Sequence, residues 1–358
     1  MIQKKEHLQI ALVLIVVTII RQGTGLVFPF PKRLSHSFTG RGYTTKYGAV
    51  NNSTIPGPRE VAAKIGVRPA LEAPSQVWKF AWKLHGVILP ILHLGDKAKT
   101  RDSKYSLKVL WCKAIASLDR SSKAFDNFWT YDTLPSVSRW LILRLFPIWV
   151  FPRLHHANIE ARTVYLNQII QDEIDRLPEN CSIRLVSLGS GYDIRCSRLL
   201  SVYPERMKAY ELDLESVVES KQIILNRLQQ RRPSAQRPTL IPLDLNNLTA
   251  VQDKLEEIIV SSRNGETDVH TIYISEGVMI YLKKTIPSGL LKLMADISRK
   301  ANAESSTASF CFADRLEDVP GGDIELAKAE LSSHGWDLMD WCPKPGLARH
   351  MGVARLRV

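Results

Sequence analysis

The sequence predicts a doubly wound α/β fold, with a mostly parallel, Rossmann-like sheet of seven strands preceded by a helical extension. From Ile183 onward, short apolar runs alternate with helix-length runs, as a parallel sheet covered on both faces requires. A glycine pair, Gly189 and Gly191, closes the first apolar run, and acidic residues stand at the ends of later ones. Such positions face ligand in this class of sheet.

Three segments are expected, in chain order: a leader over 1–59, a helical extension and lid over 60–156, and the α/β domain over 157–358. The leader carries eight Lys or Arg against Glu6 alone, so most of the chain's net charge of +12 sits there and the body is only mildly basic. That distribution argues against a nucleic-acid partner. Lys4 and Lys5 precede thirteen mostly apolar residues, Leu8 to Ile20, which is the length of a signal-peptide core and short for a membrane span. Gln22 to Arg59 then holds no Asp or Glu, as in transit peptides. Together they predict entry into the secretory route, with a bipartite leader to a plastid as one destination. An uncleaved membrane anchor and a cytoplasmic protein are the other two readings.

Residues 76–156 read as helical and apolar, with Trp78, Trp82, Trp111, Trp129, Trp140 and Trp149 spread along them. The stretch 129–151 suits a substrate lid packed on the core, or a helix touching a membrane surface, since Pro147 interrupts it well short of a span. Strands are then expected at 183–188, 208–212, 239–243, 270–275 and 307–313, with helices between them at about 193–202 and 216–229. A further helix starts at Thr249, where Thr249 and Gln252 form a capping-box pattern, and another carries Leu290, Leu291, Leu293, Met294 and Ile297. Strands at 336–341 and 353–358 complete the sheet.

Four polar signals fall at strand ends. Gly189, Ser190 and Gly191 follow the first strand, where missing Cβ atoms admit a ligand to the backbone and to the next helix N-terminus. Asp213 ends the second strand, where its carboxylate suits a ribose. Asp244 and Leu245 end the third, an acceptor for an exocyclic amine beside an apolar contact for a base. Ser275 and Glu276 end the fourth. The dinucleotide pattern is incomplete, because Ile194 stands where its third glycine belongs. The five cysteines form no C-x-x-C pair, so no metal site is indicated and buried free thiols are expected.

Several strings resemble the leucine carboxyl methyltransferases among the class I methyltransferases. Leu188 to Arg195 is similar to that family's first-strand loop, L-G-x-G-x-D followed by Thr or Ile and then Arg. Glu211 and Asp213 resemble its second-strand E-x-D, and Ser275, Glu276, Val278 and Tyr281 its fourth-strand string. Upstream, Cys112 and Lys113 resemble its C-K motif, and Pro152 through Ala161 and Arg162 its P-to-A-R helix.

The resemblance implies an S-adenosylmethionine-dependent O-methyltransferase acting on a carboxylate of a small molecule or protein. Carried over residue by residue, it implies that Lys113 and Arg162 bind the methionine carboxylate, Asp213 the ribose, and Asp244 with Leu245 the adenine. Glu276 would meet the amino group or the substrate side, and Tyr281 would lie near the transferred methyl or the substrate. Asp213→Ala and Arg162→Ala are then expected to raise the cofactor dissociation constant. The 44 residues after Asp314 fall short of the longer tail of the phosphatase-methylating members and look more like the ending of bacterial small-molecule members. A monomer is expected. Two readings compete: an NAD-dependent oxidoreductase, which accounts for the glycine loop and Asp213 but not for Glu276, and a non-catalytic cofactor-binding protein.

Overall fold

The computed structural model describes residues 56, 58–67, 100–118, 120, 122–145, 157–261, 268–301, 307–346 and 348–357. Residues 1–55 and 57 of the expected leader, with the apolar run among them, and the segment 146–151 of the expected lid lie outside the described residues. No helix among the described residues is long and apolar enough to cross a membrane.

Seven strands form one sheet: β1 (Ser182–Leu188), β2 (Met207–Asp213), β3 (Thr239–Pro242), β4 (Val269–Glu276), β5 (Ala308–Asp314), β6 (Trp336–Trp341) and β7 (His350–Leu356), in the order β3-β2-β1-β4-β5-β7-β6. The pairs from β3 to β5 are parallel, and β7 alone runs antiparallel to its neighbours β5 and β6. The order reverses between β1 and β4, which opens a crevice at the carboxyl ends of those two strands.

Helices cover both faces, which is why the central strands read as unbroken apolar runs. On one face, α5 (Ala157–Asp175) and α6 (Arg195–Val202) place Leu166, Ile170, Leu199 and others against Ile183, Leu185, Ile272 and Ile274. On the other, α8 (Leu248–Glu256), α9 (Ile286–Ala301) and α10 (Ile324–Ser333) cover Val186, Leu188, Tyr273, Phe310 and Phe312. Trp336 is fully buried there, and its indole N–H donates to the Leu291 carbonyl at 2.9 Å, so its polar end is satisfied. α1 (Pro58–Ile65) joins the α5 face through Val61 and Ile65.

Of the expected helical extension, the described parts are α2 (Arg101–Ala116), the short α3 (Trp129–Asp132) and α4 (Ser136–Leu145). Three arginines at the end of α7 (Glu215–Arg231) fasten α3: Arg227 donates to the Thr133 carbonyl, Arg231 to that of Leu134, and Arg232 pairs with Asp132 at 2.7 Å.

Two of the boundaries that differ from expectation have a clear physical cause. Helix α8 is capped by Asn247, whose side chain accepts from the Ala250 N–H at 3.2 Å, so Thr249 lies inside the helix and not at its cap. The last strand starts at His350 and not at Val353, because His350, Met351 and Gly352 pair with Asp314, Ala313 and Phe312. Gly352 belongs within the strand because a Cβ there would stand 2.7 Å from both the Asp340 carbonyl and the Phe312 ring.

Candidate active site

The glycine loop is built by backbone demands. Gly189 and Gly191 have φ of +60° and +51°, the left-handed region that glycine enters without cost. A Cβ on Gly189 would stand 2.2 Å from a Val278 methyl, so only glycine lets this loop pass the one that follows β4. Its N–H donates to the Leu212 carbonyl at 2.8 Å, tying β1's end to β2's. Ser190 is buried and its hydroxyl accepts from Lys221 Nζ at 3.1 Å, while Lys221 is itself ion-paired with buried Glu211.

Asp213 closes the same loop from the β2 side. Its carboxylate accepts the Gly191 N–H at 2.6 Å and the Leu214 N–H at 2.8 Å. At the end of β3, Leu245 is buried and Asp244 exposed, and Asp244 accepts from the backbone and side-chain nitrogens of Asn246, each at 2.9 Å. Asn246 in turn accepts the Lys283 N–H at 2.9 Å, which links this turn to the segment after β4.

The densest feature is a buried ion cluster at the β1/β4 crevice. Glu276 takes Arg162 Nε at 2.8 Å, Lys113 Nζ at 2.8 Å and Arg195 at 3.0 Å. Asp193 takes Lys113 at 2.5 Å and Arg195 at 3.0 Å. Burial opposes ionisation of both carboxyls, but Lys113, Arg162 and Arg195 outweigh it at Glu276, and Arg195 with Lys113 at Asp193, holding both below the usual carboxylate range. Burial likewise opposes charge on Arg162 and Arg195, and their carboxylate partners more than restore it. Three cations face two anions, so the cluster carries one net positive charge. Arg162 spends only Nε on its one hydrogen bond among the described residues, and a guanidinium has five N–H donors.

The loop after β4 is held by Asp314 at the end of β5. This fully buried carboxylate accepts from the Ser275 hydroxyl at 2.7 Å and from the Val278 and Met279 N–H groups at 2.8 and 3.0 Å. Gly277, at φ +67°, sits between them, and a Cβ there would stand 3.2 Å from an Arg162 terminal nitrogen. Tyr281 is half exposed beyond this loop and meets Tyr105 of α2 edge to face, 5.5 Å between ring centres. Burial and the Tyr105 hydroxyl beside it push the Tyr281 phenol above its ordinary range.

The structure thus brings Lys113, Arg162 and Glu276 into one cluster, with Gly189, Ser190, Gly191 and Asp213 on the adjoining strand ends. Asp244 and Leu245 lie further along the same edge and Tyr281 at its rim. Sequence reasoning assigned no role to Asp193, Arg195, Lys221 or Asp314. The first two were legible only as letters of the first-strand string, and Asp314 only as another acidic residue ending a strand.

The family model of leucine carboxyl methyltransferase matches residues 148–295. No curated protein matches the chain. Among solved structures, magnesium protoporphyrin IX methyltransferase from Synechocystis PCC 6803 with bound S-adenosylmethionine is 12% identical, with a TM-score of 0.35 over 56% of this chain and 79% of that one. The CurJ carbon methyltransferase is 13% identical, with a TM-score of 0.38 over 84% and 78%. The mitomycin 7-O-methyltransferase MmcR is 14% identical, with a TM-score of 0.35 over 71% and 68%. The fold assignment rests on the strand order and not on these likenesses.

Proposed function

We propose that this S-adenosylmethionine-dependent methyltransferase, whose residues 148–295 match the leucine carboxyl methyltransferase model, acts on a carboxylate of a small molecule or protein. The observation that carries this reading is the state of the crevice carboxyls. Glu276 is held ionised by Lys113, Arg162 and Arg195, and Asp193 by Arg195 and Lys113, and a carboxylate so stabilised is a poor proton acceptor. Tyr281, with its phenol pushed upward, is no better. An acceptor that is already an anion at neutral pH needs no proton removed.

The residues present fit the cofactor. The positive-φ glycines let the loop after β1 pass close to Val278 and Ser106, with no side chain of its own at Gly189 and Gly191. The excess positive charge of the cluster and the unspent N–H groups of Arg162 suit an α-carboxylate, which Lys113 and Arg162 would hold. Asp213 would take the ribose hydroxyls, Asp244 and Leu245 the adenine, and Glu276 the amino group. S-adenosylmethionine, when bound, supplies an electrophilic methyl on a sulfonium. The protein's own part is to orient donor and acceptor and to keep water from the crevice. Asp314 contributes by fixing the loop that carries Glu276 and Gly277.

The test is incubation of the full chain with methyl-labelled cofactor and fractionated extract. Label that mild base releases as methanol is the expected product, since esters hydrolyse there and ethers do not. Base-stable label in every fraction would overturn the carboxylate assignment.

A further inference from the structure

The strand order leaves half of the ligand edge without an assigned role. The cofactor-binding positions proposed above lie at the ends of β1 to β4, so an acceptor approaches over β5, β7 and β6. Because β6 runs parallel to β5, the connection from Cys342 to Arg349 lies on this same edge. It carries two cations, Lys344 and Arg349, joined across the loop by the Lys344 N–H donating to the Arg349 carbonyl at 2.7 Å.

Lys344 is only 2% exposed, yet its ammonium makes one hydrogen bond among the described residues, to the Pro345 carbonyl at 3.1 Å. An ammonium has three N–H donors, and a buried charge without a counter-ion is costly. The charged groups around it are Arg162 from α5, Glu276 from β4 and Arg349 from its own loop, with the Cys342 thiol two residues away. Glu276 is the one anion, and three other cations already share it. Arg349 has a buried Nε with no hydrogen-bond partner among the described residues. Gly346, at φ +107°, leaves the space between Lys344 and Asn158 open: a Cβ there would stand 3.6 Å from Lys344 Nζ and 3.7 Å from the Asn158 amide nitrogen. Asn158 lies one turn before Arg162 on α5 and so shares its face.

We propose that Lys344 and Arg349, with the Asn158 amide, form the seat for the acceptor's carboxylate. This inference rests on the carboxylate reading of the function and names the residues that select it. An arriving carboxylate supplies the counter-charge that the niche lacks, and hydrogen bonds to one oxygen leave the other oriented toward the crevice. Burial first, and Arg162 second, draw the Lys344 ammonium down to about 7 while the niche holds no anion. A bound carboxylate reverses that pull.

The experiment uses the full chain saturated with S-adenosylhomocysteine, with acetate and benzoate as probes and benzyl alcohol as the uncharged control. With lysine labelled by 13C at Cε, the signal absent in Lys344→Met reports Lys344. Its titration midpoint is expected to rise by about one unit or more with saturating carboxylate and to ignore benzyl alcohol. Lys344→Met and Arg349→Met should each weaken benzoate binding roughly tenfold or more, with S-adenosylhomocysteine affinity unchanged. Lys344→Arg keeps the charge and should keep benzoate, which covers the case in which Lys344→Met does not fold. A midpoint indifferent to both carboxylates, or equal benzoate binding in wild type and Lys344→Met, overturns the seat. The carboxylate reading fails separately, by the absence of base-labile label, and the cofactor assignment by loss of S-adenosylhomocysteine binding in the wild-type chain.

Discussion

Glu276 concentrates the electrostatics of the crevice, since each of Lys113, Arg162 and Arg195 touches it and only Asp193 shares the load. Replacing it with Gln keeps its shape and removes one of two anions, which leaves three buried cations facing a single carboxylate. Breaking a buried ion network from one side typically costs about 3–5 kcal/mol. Glu276→Gln should therefore lower the unfolding free energy measured in urea by that order at pH 7, while Asp213→Ala, at a half-buried position held by two backbone N–H groups, should chiefly weaken S-adenosylhomocysteine binding. Chemical denaturation and calorimetry separate the two, and a Glu276→Gln protein of wild-type stability would show that the cluster is not the structural centre described. Single residues of this kind were unevenly legible in the sequence. Asp213 and Glu276 end apolar runs and could be placed by counting. Arg195 lies beside Asp193 in the chain, but its tie to Glu276 spans 81 residues, and no local spacing announces a contact of that range. Lys344 has no motif at all, since its significance comes from burial and from having no counter-ion of its own.

Strands and helices were more legible than side-chain partners because burial on both faces imposes long apolar runs. β1 and β5 are buried along nearly their whole lengths, and their bounds were placed within one residue. The misplaced boundaries have physical causes: Asn247 competes with Thr249 as a cap, and Gly352 reads as a breaker although crowding by Phe312 and Asp340 demands it. The hardest element to read was the segment after β4, a tight turn from Gly277 through the one-turn helix Met279–Tyr281. Its conformation is imposed from β5 by Asp314, which accepts two of its N–H groups and the Ser275 hydroxyl. Asp314→Ala strands those buried donors, at a cost of about 1–3 kcal/mol for each left without a partner. Because the same turn positions Glu276 and packs Val278 against Gly189, stability and S-adenosylhomocysteine affinity should fall together. Loss of stability with unchanged affinity would show that the turn holds its shape without Asp314.

At the scale of the whole molecule, two buried histidines tie the sheet to what surrounds it, at opposite ends of the strands. His270, near the start of β4, bonds Thr307 Oγ1 at 2.6 Å and Ser309 Oγ at 3.0 Å, and Ser309 donates to Glu173 of α5. His350, at the start of β7, accepts the Leu316 N–H at 2.9 Å and lies 2.7 Å from the Gly321 carbonyl, so it is neutral with its proton on Nε2. Burial is the main reason that each is drawn down to about 4. A histidine lowered on folding binds its proton more readily in the unfolded chain, so its contribution to stability is full above about pH 6.5 and drains away as pH falls toward 4. Over that window the loss amounts to about 3 kcal/mol per histidine at most. Buried carboxyls pushed upward, Asp126, Glu211 and Asp314 among them, act in the opposite sense, so the wild-type slope alone mixes the two. The difference between wild type and His270→Gln isolates the imidazole: the wild-type advantage in urea should be largest near pH 7 and shrink by up to that amount by pH 4. An advantage that stays constant across the window would mean that His270 titrates alike in the folded and unfolded chains, and that the lower end of the sheet is open to water.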